Sequence, residues 1–182
     1  MLKKTLINIK WSSNFAYAIG LITTDGNLSK DGRHIIFTSK DIELVNNFQK
    51  SLKISYEIKK KNSGSNPNKI YNYIQIGDIN FYNFLLKIGL MPNKSKKLES
   101  ILVPKKYLFD FLRGHFDGDG SFYSYWDKRW KSSYMFYVSF TSASKNHVLW
   151  LKEQITDSLH ISGHITKAVS NSCYQLKYAK AE

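Results

Sequence analysis

The sequence predicts an α+β fold in which one αββαββ(α) unit occurs twice, as two pseudo-twofold halves. Three observations carry this prediction. Short motifs recur in the same order along the chain. Apolar residues alternate between helical and strand periodicity in the same succession in both copies. The length, 182 residues, suits one domain or two small halves, and 42% hydrophobic and 15% aromatic content is enough to bury a core.

The repeat is explicit. Ala18-Ile19-Gly20-Leu21-Ile22-Thr23-Thr24-Asp25-Gly26 matches Leu112-Arg113-Gly114-His115-Phe116-Asp117-Gly118-Asp119-Gly120 at an offset of 94. Phe37-Thr38-Ser39 recurs as Phe140-Thr141-Ser142, and Leu52-Lys53-Ile54-Ser55 as Leu159-His160-Ile161-Ser162. The offsets grow to 103 and then 107, so the second copy carries insertions.

Each element follows in order. Apolar stretches at 14–24 and 106–118 read as helices that end at Gly-containing corners. Alternating segments at 33–38 and 134–140 read as strands. Ile42, Val45, Phe48 and Leu52, with Val148, Leu151, Ile155 and Leu159, mark one amphipathic helix in each copy. Further strands are expected at 54–60 with 71–77, and at 161–169 with 173–178; the stretch 62–69, with Gly64 and Pro67, reads as a loop. A third helix is expected at 78–88. The resulting division is 1–90 for the first half, 91–104 for a basic linker and 105–182 for the second half, which lacks the counterpart of that helix.

Charge narrows the function. The chain carries 27 Lys+Arg against 14 Asp+Glu, net +13, and nucleic acid is the commonest polyanionic partner of such a surface. Only Arg33, Arg113 and Arg129 are arginines; with 14 asparagines, this skew fits A·T-rich coding DNA as well as function. The single Cys173 excludes an internal disulfide framework and a cysteine zinc site. No apolar run reaches the roughly 18 residues of a membrane span, and the N-terminus turns polar too early for a signal peptide. An intracellular compartment, prokaryotic cytoplasm or an organelle, is therefore expected.

Against this basic background the paired acidic corners stand out. Asp-Gly ends helices in many proteins, but two copies at equivalent places in a +13 chain call for a reason, because carboxylates oppose phosphate binding. A divalent cation supplies one: Mg²⁺ is held by one or two carboxylates together with phosphate oxygens and water. Gly20 and Gly114, about a turn before the acids, would let two helices approach closely.

These residues resemble the LAGLIDADG homing endonucleases, in the monomeric form with two motifs. Phe111 to Ser121 is a close match, Ala18 to Gly26 a looser one, and the order of elements agrees over nearly the whole chain. The resemblance implies motif helices packed together, antiparallel β saddles in the DNA major groove, and a site-specific double-strand break in a long pseudo-palindromic target by metal-dependent phosphodiester hydrolysis. It assigns Asp25 and Asp119 as catalytic metal ligands and the carbonyls of Thr24 and Gly118 as further ligands. Lys94 takes the place of the basic residue after the third helix, with Lys96 and Lys97 as competitors. Mg²⁺ is the implied cofactor, with Mn²⁺ as a substitute and Ca²⁺ binding without cleavage. Thr23 departs from the usual aspartate, which Asp117 supplies in the second copy.

Alternation along the strands then offers side chains to the groove. In the first copy these are Asn27, Ser29, Lys30, Arg33, His34, Lys59, Lys61, Asn72 and Gln75. In the second they are Tyr123, Tyr125, Lys128, Arg129, Lys131, Lys167, Asn171, Gln175 and Lys177. Ser39 and Ser142 occupy strand-to-helix corners, as water-positioning groups or caps. The expected partner is double-stranded DNA. The alternatives are an RNA maturase or DNA-binding regulator of the same fold that does not cut, and an unrelated basic RNA-binding protein.

Overall fold

The computed structural model describes residues 7–62, 66, 68–129, 133–167 and 172–179. In chain order the elements are α1 (Ser13–Asp25), β1 (Gly26–Leu28), β2 (His34–Ser39), α2 (Ile42–Leu52), β3 (Lys59–Asn62), β4 (Ile70–Gly77) and α3 (Ile79–Lys87). Then follow α4 (Leu108–Asp119), β5 (Gly120–Trp126), β6 (Tyr134–Ser142), α5 (Lys145–Leu159), β7 (His164–Lys167) and β8 (Tyr174–Ala179). The expected α+β fold is therefore present, with two antiparallel sheets of identical topology, β1-β2-β4-β3 and β5-β6-β8-β7. Even the register repeats: Phe37 pairs with Ile74 in the first sheet as Phe140 pairs with Leu176 in the second.

Two compact units divide the chain. The first comprises residues 1–94 and 101–118, so it contains α4 as far as Gly118. Here α1 is enclosed: every residue from Phe15 to Thr23 is buried, as its near-continuous apolar sequence demands. Ser12 caps it by accepting from Phe15 N at 3.2 Å. Phe37 of β2 stacks on Phe48 of α2 with ring centroids 4.3 Å apart, joining sheet and helix in one core. Asp78 caps α3 through Phe81 N at 2.9 Å and also accepts Ile7 N at 3.2 Å. Residues 54–58 differ from the strand expected there. Ile54 N bonds the Gln49 carbonyl at 3.0 Å and Tyr56 N its side-chain oxygen at 2.5 Å, so this backbone is spent on the end of α2 and pairing starts at Lys59.

The second unit comprises residues 95–100 and 119–182. Its core lies between α5 and the sheet, with Val148, Leu151, Ile155, Phe140 and Leu176 buried. Ser144 caps α5 and also donates to the Leu98 carbonyl at 2.5 Å, while His147 Nδ1 donates to the Glu99 carbonyl at 2.7 Å. Residues 95–100 of the linker are thus fixed as part of this unit. Among the described residues no helix is long and apolar enough to cross a membrane.

Within the first unit, α1 and α4 touch backbone to backbone. A Cβ on Gly20 would run into the Phe111 carbonyl and sit 2.7 Å from His115 N; one on Gly114 would run into the Tyr17 carbonyl. These are backbone atoms that cannot rotate away. Glycine inside a helix costs about 1 kcal/mol relative to alanine, so the sequence gives up helix propensity to obtain this contact. Gly114→Ala recovers that increment but forces the helices apart at a cost of about 1–3 kcal/mol beyond it. A thermal melt is expected to fall by roughly 3–10 °C; a melt equal to or above that of the parent chain would show that the contact is not tight.

Candidate active site and nucleic-acid face

The C-terminal end of α1 is built from polar residues turned to different tasks. Thr23 is buried and its hydroxyl donates to the Ile19 carbonyl at 2.8 Å, so the residue in the place of the motif's usual aspartate is consumed by its own helix. The Thr24 hydroxyl bonds the Leu21 carbonyl at 3.0 Å. Asp25, half-buried, closes the helix, and Gly26 N–H bonds back to Ile22.

Lys94 reaches this helix end from the third-helix side. Asn93, in the left-handed region with φ 55°, turns the chain. The turn carries Lys94 inward to 7% exposure, and its ammonium donates to the Thr24 carbonyl at 2.9 Å. Lys96 and Lys97 are exposed. The carbonyl assigned to a metal by resemblance therefore already accepts from a lysine, and only its second lone pair is left for a cation.

Asp25 also lines an open cleft of about 390 Å³ with Ser39, Lys40, Asp41, Glu43, Asp117 and Gly118. All its charged acceptors are carboxylates, the oxygen donors a hard cation such as Mg²⁺ prefers. No group of three or more His, Cys, Asp or Glu side chains among the described residues is set to hold a metal on its own. The donor set fits Mg²⁺ in its usual mode, with one or two carboxylates supplied by protein and the remaining ligands by phosphate and water. In the second copy Asp119 is the last residue of α4, exposed, and Gly120 opens β5. Ser39 accepts from Asp41 N, and Ser142 from Ser144 N, each at 3.2 Å, so both serines brace the turn before a helix.

Sequence reading missed a neighbouring group. The Tyr17 hydroxyl donates to Asp117 Oδ2 at 2.8 Å, and the Arg113 guanidinium lies 4.6 Å from the Tyr17 ring centroid. Burial first, and then the bond to Asp117, push the Tyr17 phenol well above its ordinary value, so it remains a donor. Asp117 is thereby tied to α1, whereas its counterpart Thr23 is turned into its own helix. The spacing of Arg113 and Asp117, four apart on one helix, was the only available signal.

Sheet register settles which side chains share a face. In the first sheet Ile35, Phe37, Ile74 and Ile76 form the buried face under the helices. Asn27, His34, Lys59, Lys61 and Gln75 lie on the opposite face, and Arg33, His34, Lys59, Tyr73 and Gln75 line a cleft of about 480 Å³. Ser29, Lys30 and Arg33 belong to the β1–β2 turn. Asn72 does not join them: it shares the helix-side phase of Ile74, and its amide donates to the Lys40 carbonyl at 3.0 Å. In the second sheet Tyr123, Tyr125, Gln175 and Lys177 share the face opposite Phe140 and Leu176, and Tyr123 stacks on Tyr137 at 5.0 Å. Lys167 falls out of phase, paired with Tyr174 on the side of Leu176, its ammonium 5.8 Å from the Tyr174 ring centroid. Lys128 and Arg129 stand exposed in the β5–β6 turn. Lys131 and Asn171 lie outside the described residues.

Comparison with known proteins bears on the fold. Residues 12–89 match the family model of a LAGLIDADG-like domain. Full-length DUF199/WhiA from Thermatoga maritima aligns over 96% of this chain and 57% of its own length, with a TM-score of 0.57 and 15% identity. The homing endonuclease I-WcaI, bound to its DNA recognition sequence, aligns over 92% and 77%, with a TM-score of 0.61 and 15% identity. I-DmoI, in complex with DNA and Mn, aligns over 91% and 88%, with a TM-score of 0.54 and 16% identity. The chain thus spans little more than half of WhiA and most of the two endonucleases. No curated protein sequence matches it. At these identities the solved structures speak for the fold. Residues 12–89 thus match a LAGLIDADG-like domain, and along its length the chain has the fold of the LAGLIDADG homing endonucleases.

Proposed function

We propose that this chain is a site-specific DNA endonuclease that makes a double-strand break by metal-dependent phosphodiester hydrolysis. The observation that carries the reading is Lys94. A lysine residue at 7% exposure is costly unless its charge is paired or hydrogen-bonded, and the ammonium of this one is delivered across 70 positions onto the peptide that precedes Asp25. Acid, carbonyl and ammonium at one helix end are the parts that phosphodiester hydrolysis requires.

Each has a role. Asp25 and Asp119 would hold Mg²⁺ ions, with the Thr24 and Gly118 carbonyls as secondary donors. Such an ion, when bound, offsets phosphate charge and makes water more acidic. Lys94 fixes the Thr24 carbonyl and sets a positive charge and N–H donors where negative charge develops on the phosphate. The lysines and polar side chains on the open sheet faces bind the duplex, Lys59 and Lys177 to phosphates and Gln75 and Gln175 to adenine edges. The fold shared with DNA complexes of I-WcaI and I-DmoI supports this assignment. The fold shared with WhiA keeps a second reading in play: a protein that binds nucleic acid through the same faces without cutting it.

Incubation with Mg²⁺ and a library of randomised duplexes separates the two. Cleavage at a recurring sequence is expected; sequence-selective binding with every duplex intact would overturn the nuclease reading. Asp25→Asn and Asp119→Asn are each expected to lower the single-turnover cutting rate at least about 100-fold while leaving binding equal or tighter, since each removes a negative charge from beside phosphate. Lys94→Met is expected to cost about 100-fold or more in the same rate, with affinity equal or weaker, since it removes a positive charge from beside phosphate. A Lys94→Met chain that folds and cuts at the parent rate would remove Lys94 from the mechanism.

A further inference from the structure

Two of the chain's three arginines lie in the connections between the first two strands of each sheet. Asp31-Gly32-Arg33 connects β1 to β2, and Asp127-Lys128-Arg129 opens the connection of β5 to β6. In both, the aspartate accepts the arginine's own backbone N–H, at 3.0 Å from Arg33 and 2.9 Å from Arg129. The remaining carboxylate contacts differ. Asp31 Oδ2 lies 2.5 Å from His34 Nδ1. Asp127 instead takes the Arg129 guanidinium in a fork, Nε to Oδ1 at 3.0 Å and Nη2 to Oδ2 at 2.7 Å.

The exposure of the pair is lopsided. The Asp127 side chain is 10% exposed, and its backbone N–H is anchored to the Ser133 carbonyl at 2.9 Å; the Arg129 side chain is 80% exposed. A buried acid therefore holds the inner edge of an outward guanidinium. The fork consumes two of the five N–H donors and leaves both on Nη1 and one on Nη2, the outer end of the plane. Bonds from Arg129 hold the Asp127 carboxyl down at about 2, so the fork persists throughout the neutral range.

From this geometry we infer that Asp127 is a positioning residue that presents Arg129 end-on to a guanine in the target duplex. This rests on the DNA-recognition reading above and adds a specificity to it. Two donors side by side on a fixed plane match the paired O6 and N7 acceptors of guanine in the major groove. A phosphate anchor needs net positive charge more than orientation, and an arginine neutralised by its own carboxylate gives that up. The chain uses lysine 24 times for point charge, and lysine cannot present a fixed fork. Because the β5–β6 hairpin runs on to Trp126↔Tyr134, past the counterpart of Leu28↔Ile35, and Asp31 forks no guanidinium, Arg129 has no counterpart in the first copy, and the target departs from a perfect palindrome there.

The test is selection of bound duplexes from a randomised library, comparing the full chain with Asp127→Asn and Arg129→Lys. The parent chain is expected to enrich guanine at one position that the opposite half-site does not share. Both variants are expected to reduce guanine preference at that position about tenfold, with enrichment elsewhere and melting temperature unchanged. Unaltered guanine preference in folded Asp127→Asn, or a uniform loss across all positions, would overturn the assignment. Failure of the parent chain to select any sequence would defeat the DNA-recognition reading itself, and this inference with it.

Discussion

Everything proposed for the site depends on how closely α1 and α4 pass. At Gly20 and Gly114 no side chain stands between them, and the atoms that would meet a Cβ are carbonyl oxygens and amide nitrogens. Contact at that separation fixes both helices along and about their axes, because any slide drives backbone into backbone. Residues placed relative to it inherit that precision. Thr24 lies against Gly118, where a Cβ would come within 2.8 Å of the threonine Cβ, and Tyr17 meets Asp117 from a hundred positions away. Larger side chains at the contact would have preserved helix propensity and lost the placement.

The two copies of the motif have diverged in their polar chemistry while keeping the backbone. Thr23 closes onto its own helix; Asp117, at the equivalent place, reaches across to Tyr17. Lys94 serves the Thr24 carbonyl of the first copy. The sheets tell the same story: register is repeated residue for residue, yet the first open face carries Lys59 and Lys61 and the second Tyr123, Tyr125 and Tyr137. For the proposed endonuclease, a duplicated scaffold with unlike surfaces suits a target whose halves are related without being identical.

Much of this was legible in the sequence where the signal is local. The recurring Gly-x-x-x-x-Asp-Gly words gave the helix ends and the close-packed glycines, and strand alternation gave Lys59, Lys61 and Gln75 their common face. It failed where phase is decided by a partner strand. Asn72 is polar, but it pairs opposite Lys60 on the helix side, and Lys167 occupies the same phase as Lys60 in the second copy. Residues 54–58 alternate like a strand, but their hydrogen bonds go to the end of α2, which alternation cannot reveal. Tyr17 and Arg113 were invisible for a different reason: their meeting exists only once α4 lies along α1.

The central claim is that the helix-end carboxylates hold divalent cations once a duplex is present. Counting tightly bound Mn²⁺ by electron paramagnetic resonance, on the DNA complex of the parent chain and of the Asp25→Asn, Asp119→Asn double variant, tests it most directly. The account predicts bound Mn²⁺ in the parent complex and its loss in the double variant at equal DNA occupancy. An unchanged Mn²⁺ count in the double variant would contradict it.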